Sequence, residues 1–429
     1  MSGKLIVQNA RIADPASGRD APGALLVENG RIEAISDNPA EPAPGVATII
    51  DAKGMLLAPG LVDMRVFIGE PGYEYRETLK SAGNAAAAGG VTTFVGMPDT
   101  DPVLDDHALV EFIARRAKTE SNVNVLPAAA LTKGLKGGEL TEFGLLKESG
   151  AVCLTDGKKS IQSSAVLRAA FTYAASFGMP VVHHIVDYGL RGQGVMNEGL
   201  FATTLGLKGI PREAETVPLA RDLQLAALTG VQYHAAQIST GASAALVATA
   251  RNDVAHISAG ASINNLALNE LDIGSYRSFF KLSPPLRAED DRLALAAALK
   301  NGTLDTIHSG HDPQDSEGKR QPFADAKNGA IGLETLLAAA LRLVHDGSVP
   351  LLTVLKAMTS RPAEILGLEC GRIEKRAPAD FILVDLDYPW TYEESAIRSR
   401  SKNTPFEGAR FTGKVMKTFV AGQQVFSHD

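Results

Sequence analysis

Residues 60–72, GLVDMRVFIGEPG, read as a strand running into a Gly-Glu-Pro-Gly turn, and they open a regular alternation that decides the fold. From about residue 57 to 365, short apolar strands alternate with helical patterns, the signature of parallel βα units. Eight strand candidates follow one another: 60–68, 91–98, 124–131, 151–156, 180–184, 231–238, 254–260 and 304–310. Alanine-rich helical stretches separate several of them, among them ETLKSAGNAAAAGG (77–90), AALVATARN (244–252) and DRLALAAALKNG (291–302), with glycine near their C-terminal ends. Eight such units predict a (β/α)8 TIM barrel, an α/β fold whose chemistry sits at the C-terminal ends of the strands.

The two ends of the chain differ from this middle. KLIVQNARIAD (4–14), GALLVENGRIEAI (23–35) and ATIIDAKGMLLAPG (47–60) alternate apolar runs with turns, as do ADFILVDLD (379–387) and GKVMKTFVAGQQVF (413–426). Asn29-Gly30 and Ala421-Gly422 are hairpin signals. Residues 1–56 plus 366–429 are therefore expected to form one small β-sandwich, with 57–365 folded between them as the barrel.

At 429 residues the chain is long enough for both modules. Hydrophobic residues make up 45% and charged ones 21%, values of an ordinary globular protein. The net charge of −7 does not favour nucleic acid or an anionic membrane. There is no basic-then-apolar leader and no apolar run near 18 residues, which leads us to expect a cytoplasmic protein. Cys153 and Cys370 are too few for a disulfide framework or a cysteine-built zinc site and read as small core residues.

In a barrel of this kind the strand ends should carry the chemistry. Two histidines on alternate residues of the first strand would face one metal, but the strand carries Arg65 and Phe67. A guanidinium has no lone pair to offer and repels a cation. Strand four ends in Thr155-Asp156-Gly157, where Asp156 is either a ligand or the opening of a turn. Strand five ends in His183-His184, of which one faces the centre. Strand six carries His234 and Gln237, and Gln237 is a poor zinc ligand. Asn264 and Asn265 after strand seven read as loop hydrogen-bonders. Strand eight ends in IHSGHDP (307–313), where Asp312 reads as a turn residue. A one-metal site of Asp156, His184 and either His308 or His311 is the alternative. GASAALV (241–247) lacks the Lys-Ser/Thr ending of a phosphate loop, and Ser239 has no elbow motif.

Five stretches, APGLVDMRVFIGEPG (58–72), GGVTTFVGMPDTDPV (89–103), LSPPLRAEDDR (282–292), GKRQPFADAKNGAIGLET (318–335) and SKNTPFEG (401–408), resemble the dihydroorotases of the amidohydrolase superfamily in kind and in order. The resemblance implies a barrel with a β-sandwich and, in active members, zinc ions that activate a hydroxide for attack on the ring amide of dihydroorotate. It also implies what is missing. The family's first-strand histidines correspond to Arg65 and Phe67, and its substrate-binding arginine to Gly69. The asparagine of its MPNT motif is Asp99, and its aspartate motif on strand four is reduced to Asp156. The fifth-strand histidine remains as His184, while the sixth-strand histidine is Gln237. The asparagine of NPPLR is Ser283. In the TDHAPH motif the proton-shuttling aspartate is Gly310 and the final histidine Gln314; only His311 stays.

Such a pattern implies a catalytically silent, pseudoenzyme-type member of the pyrimidine pathway family. No metal is expected, with zinc conceivable only at the residual candidates Asp156, His184 and His311. By the same resemblance the chain is expected to be a structural partner of aspartate carbamoyltransferase in a homo- or hetero-oligomer. The alternatives are an active cyclic amidohydrolase with a one-metal site, or a small-anion sensor using Arg65 and His184. Arg65 is further expected to pair with Asp156 in the vacated metal space.

Overall fold

The computed structural model describes residues 4–38, 48–252 and 256–428. Ala47, at the start of the third N-terminal β segment, and Val254 and Ala255, at the start of the seventh strand candidate, lie outside the described residues.

The strand Leu61–Val66 pairs in parallel with Val91–Gly96, which pairs with Asn124–Pro127. Leu154 then bridges in parallel to Ala129 on one side and Val181 on the other. Val181–His183 pairs with Tyr233–Ala235, that strand with Ile257–Ser262, and that with Thr306–His308. A parallel bridge from His311 back to Val66 completes the circuit. Parallel neighbours require crossovers, and helices such as Leu79–Ala88, His107–Glu120, Ser164–Phe177 and Gly241–Ala250 supply them. Every residue of Leu61–Val66, Val91–Gly96 and Ile257–Ser262 is buried, as expected of strands covered on both faces.

The fourth strand is the weakest. Regular pairing there is confined to Leu154, although Val152 and Thr155 still donate backbone bonds to Pro127 and Ala129. The chain leaves the ladder at Asp156, where Lys159 N closes a turn on the Asp156 carbonyl. There the Asp156 side chain turns to Leu131 and Thr132, the continuation of the third strand.

Residues from both chain ends share one eight-stranded sheet in the order Gln423–Ser427, Arg410–Val420, Phe381–Thr391, Leu56–Pro59, Leu5–Asp14, Arg19–Glu28 and Arg31–Ser36, with Thr48–Asp51 also on Leu5–Asp14. The two hairpin turns are where the sequence places them. Asn29-Gly30 and Ala421-Gly422 both have positive φ at their two central residues, the geometry that matches the twist of paired strands. Cys153 is fully buried and Cys370 half-buried; both are free, and burial pushes their thiols up to about 12 and about 11. Among the described residues no helix is long and apolar enough to cross a membrane.

Candidate functional site

At the C-terminal ends of the ring strands lies a cavity of about 400 Å³. It collects Arg65, Phe67, Asp99, Gln237, Ser283, Gly310, His311 and Gln314 from positions spread over 250 residues of sequence. Of the other positions singled out in the sequence, Gly69, Asp156 and His184 do not line it.

Arg65 is placed by its strand and by Asp63, whose Oδ1 accepts the Arg65 backbone N–H at 2.9 Å while Oδ2 accepts from Ser309 N at 3.0 Å. One carboxylate, driven to a raised pKa by complete burial, thus ties the first strand of the ring to the eighth. The Arg65 side chain is 7% exposed and donates from Nη1 to the Gly157 carbonyl at 3.3 Å. Burial lowers its pKa, but a guanidinium stays charged at any physiological pH.

The expected pair with Asp156 is not formed. Asp156 is 1% exposed and its carboxylate accepts from Leu131 N and Thr132 N, each at 2.9 Å, and from Thr132 Oγ1 at 2.5 Å. Three local donors occupy it, and the turn after Leu154 points it at residues 131–132 rather than at the cavity.

Phe67 is 3% exposed, and the cations of Arg76 and Lys158 stand 4.0 Å and 4.8 Å from its ring centroid. Both also reach Asp312 Oδ1, Arg76 Nη2 at 2.8 Å and Lys158 Nζ at 2.9 Å, and Gln314 Nε2 donates to the same oxygen at 3.1 Å. Asp312 is therefore not merely a turn residue. It is the counter-ion of the cavity, and sequence reading missed it because its partners lie 236 and 154 residues away.

Burial pushes Asp312 up, but Lys158 and Arg76 outweigh it and hold the carboxyl below its ordinary range. A depressed folded-state pKa stabilises the fold above the unfolded value and loses that stabilisation on acidification. The margin of the wild type over Asp312→Asn should thus be about 2 kcal/mol at pH 7 and fade as pH falls below about 4. Urea midpoints of both proteins at pH 7 and pH 3 measure it.

His311 is bound at both nitrogens. Nδ1 accepts from Gly332 N at 3.2 Å, which leaves Nε2 to carry the proton toward Glu77 Oε2 at 3.2 Å. Glu77 accepts as well from Ser81 Oγ, Ser399 Oγ, Thr78 N and Arg400 N. His183 faces away from the cavity, with Nδ1 on Asp222 Oδ2 at 2.6 Å and Nε2 accepting from Ile161 N at 3.0 Å. His184 is 2% exposed with Nδ1 unpartnered, and burial followed by the Arg65 charge drives its pKa well down, so the ring is neutral. His308 is likewise buried, and its pKa is lowered well below the ordinary value by burial and then by Arg65. Asn264 and Asn265 sit in a short helix, Ile263–Ala267, rather than a loop; Asn265 Nδ2 donates to Pro285 O at 3.0 Å and Asn264 Oδ1 is unpartnered.

Two of the sequence-marked positions leave no room for a side chain, Gly310 on the cavity and Gly69 outside it. Gly310 has φ +62°, and a Cβ there would lie 2.8 Å from Ser262 Oγ. Gly69 has φ +72°, and a Cβ there would lie 2.1 Å from the Glu77 carbonyl oxygen.

A sequence model of the family described as Dihydro-orotase-like matches residues 54–243. A Trichlorobacter lovleyi protein named dihydroorotase is 39% identical over 423 residues, covering 99% of each chain. The chain belongs to the dihydroorotase-like family. Another member named dihydroorotase, from Pelobacter propionicus, is 40% identical over 98% of this chain and 99% of its own. Among solved structures, the L-hydantoinase (dihydropyrimidinase) of Arthrobacter aurescens superposes with a TM-score of 0.90 over 100% of this chain and 96% of that one, at 25% identity. A dihydropyrimidinase from Brevibacillus agri, at 20% identity and a TM-score of 0.84, shares the fold.

The zinc chemistry implied by that membership was tested against the donors present. The residues of this dihydroorotase-like chain do not fit it. Arg65 and Phe67 offer no lone pair, Asp156 is saturated by three donors, both His311 nitrogens are engaged, and the unpartnered nitrogens of His184 and His308 supply two imidazoles, short of the three protein ligands of a catalytic zinc. Among the described residues no group of three His, Cys, Asp or Glu side chains converges for a metal.

Proposed function

We propose that this chain is a catalytically silent dihydroorotase homologue of the pyrimidine pathway, built as a (β/α)8 barrel with a β-sandwich from both chain ends, and that it serves as a structural partner of aspartate carbamoyltransferase. The observation that carries the first part is the guanidinium of Arg65 in the cavity wall, at the position where the family resemblance places a metal-binding histidine, beside an aromatic ring already covered by Arg76 and Lys158. A fixed positive charge there opposes a divalent cation at short range. Gly310 supplies no acid or base, so a proton could not be passed to the leaving nitrogen by the family route. The carbamoyltransferase partnership rests on the family resemblance, carried by the five sequence stretches quoted above.

The deciding measurement is zinc content by plasma mass spectrometry after expression in zinc-supplemented medium without a metal-binding tag, paired with a dihydroorotase assay. Zinc far below one per chain and no turnover are expected. Stoichiometric zinc would transfer the argument to an active one-metal enzyme. The double variant Arg65→His/Phe67→His is expected to remain inactive, because the acid at 310 is still absent; recovered hydrolysis of dihydroorotate would refute the reading. Co-elution with the same organism's carbamoyltransferase at micromolar concentration tests the partnership, and separate elution would reject it.

The small-anion reading is favoured by a different observation, the unused donors of Arg65.

A further inference from the structure

A second cavity, of about 380 Å³, lies where the helix Leu336–His345 and the end of Leu79–Ala88 meet the strands Phe381–Thr391, Arg410–Val420 and Gln423–Ser427. Among the described residues it shares none of its lining with the cavity at the ring-strand ends. Its wall is largely aromatic and aliphatic. Trp390, Tyr392 and Phe426 supply rings, and Leu337, Ala338 and Val415 supply an apolar base. Trp390 and Tyr392 meet edge to face, with centroids 5.8 Å apart and planes at 83°, so they form a corner rather than a closed stack. The Trp390 ring is held in place by Nε1, which donates to the Gly413 carbonyl at 2.9 Å.

The same wall carries positive charge without a counter-charge. Arg398 and Lys414 both line it, and among the described residues neither side chain pairs with a carboxylate. Each lies over a ring instead: Lys414 Nζ stands 4.6 Å from the Trp390 centroid, and the Arg398 guanidinium carbon 5.1 Å from that of Phe426. Burial lowers the pKa of Lys414, and no acid offsets it. The wall has one carboxylate, Glu334, and it is already engaged. Its Oε1 accepts the backbone N–H of Arg398 at 2.9 Å and of Ser399 at 3.1 Å, which fixes the backbone that presents Arg398 without reaching the guanidinium. Burial, with Glu334 adding to it, pushes the Tyr392 hydroxyl up, so that group stays neutral.

We propose that this second cavity binds a flat aromatic ring that carries an anionic group, with the ring against Trp390, Tyr392 and Phe426 and the anion on Arg398 and Lys414. The chemistry of the wall selects this class over its neighbours. An uncharged ring leaves both cations without a partner, a bare inorganic anion leaves the aromatic corner unfilled, and a cationic ligand is repelled by both charges. Arg398 offers a planar fork and Lys414 a point charge, a combination that suits a carboxylate or a phosphate. A volume of about 380 Å³ is within the usual range for a small-molecule site and far larger than an ion needs. The site owes nothing to the zinc chemistry of the ring-strand cavity, so it stands whether or not the chain is catalytically silent.

Trp390 is the only tryptophan of the chain, so tryptophan fluorescence reports on this cavity. The test titrates the full chain with benzoate and with adenosine monophosphate, beside benzyl alcohol as a ring without charge and inorganic phosphate as charge without a ring, and follows Trp390 emission and calorimetric heat together. At least one of the two aromatic anions should change the emission, raise the melting temperature and bind about tenfold more tightly than either control. Preference for benzoate marks a carboxylate as the anionic group, and preference for the nucleotide marks a phosphate. Arg398→Met and Lys414→Met should each weaken binding about tenfold. Arg398 is exposed and Lys414 half-buried, so neither change should prevent folding. The proposal is overturned if neither aromatic anion binds, if benzyl alcohol or phosphate binds as tightly, or if binding is unchanged in both variants, which would place the ligand in another cavity. None of these outcomes bears on zinc content or dihydroorotate turnover, which alone decide the silent-enzyme reading.

Discussion

Gly69→Arg is expected to cost more than about 4 kcal/mol and to leave little folded protein. The backbone at Gly69 has φ +72°, a region L-residues adopt at a cost of about 1–3 kcal/mol. The added Cβ would come within 2.1 Å of the Glu77 carbonyl oxygen and 2.9 Å of the Tyr73 carbonyl oxygen, and those atoms are backbone that cannot swing aside. Gly18→Ala separates the two effects, because Gly18 has φ +73° with nothing within 4 Å of its Cβ position. That control should lose only about 1 kcal/mol, the cost of the conformation alone. Chemical denaturation of the two variants measures the difference, and a Gly69→Arg protein as stable as Gly18→Ala would show that the 69–77 turn opens freely. The consequence for function is direct. An arginine cannot be accommodated at this position, since the turn occupies the space its side chain would need.

Glu77→Ala should cost about 3–5 kcal/mol, because several buried donors lose one shared acceptor, at about 1–3 kcal/mol for each group left unsatisfied. Its carboxylate has no exposed side-chain surface and gathers donors from three separate segments: Thr78 and Ser81 at the start of a helix, His311 after the eighth ring strand, and Ser399 and Arg400 far along the chain. Burial pushes Glu77 up, but His311 and the two serine hydroxyls bring it below its usual value. Removing the carboxylate orphans all of these donors at once, and the His311 ring that anchors the cavity floor loses its partner. Glu77→Gln, which keeps the size and one acceptor oxygen, should recover part of the loss. Equal stability of Glu77→Ala and wild type in urea would mean that the connection between residues 77–81, 311 and 399–400 is made by packing rather than by this group.

The division of labour between sequence and tertiary structure is visible in these residues. Local pattern was enough for seven of the eight ring strands, for the Leu79–Ala88 helix with its Gly89 end, and for the Asn29-Gly30 and Ala421-Gly422 hairpins, because periodicity and turn chemistry act over a few neighbouring residues. The same local reading, set beside the family pattern, picked out Arg65, Phe67, Asp99, Gln237, Ser283, Gly310, His311 and Gln314, and folding brings these eight to one cavity. It erred where the outcome depended on where a side chain points. Asp156 turns to Thr132 because the chain leaves the ladder after Leu154, and no spacing in the sequence encodes that exit. Asp312 and Glu77 went unrecognised for a related reason: an acidic residue before a proline or in a loop is ordinary in sequence, and it becomes the centre of an ion network only when partners more than 150 residues away are folded against it. The sequence by itself determined that Arg65, Phe67 and Gly310 present neither a lone pair for a metal nor a group that exchanges a proton near neutral pH. Only the tertiary structure decided what surrounds them, because the energy of a buried charge depends on which partners the fold brings within hydrogen-bonding distance, and for the Arg65 side chain it brings the Gly157 carbonyl and an open cavity.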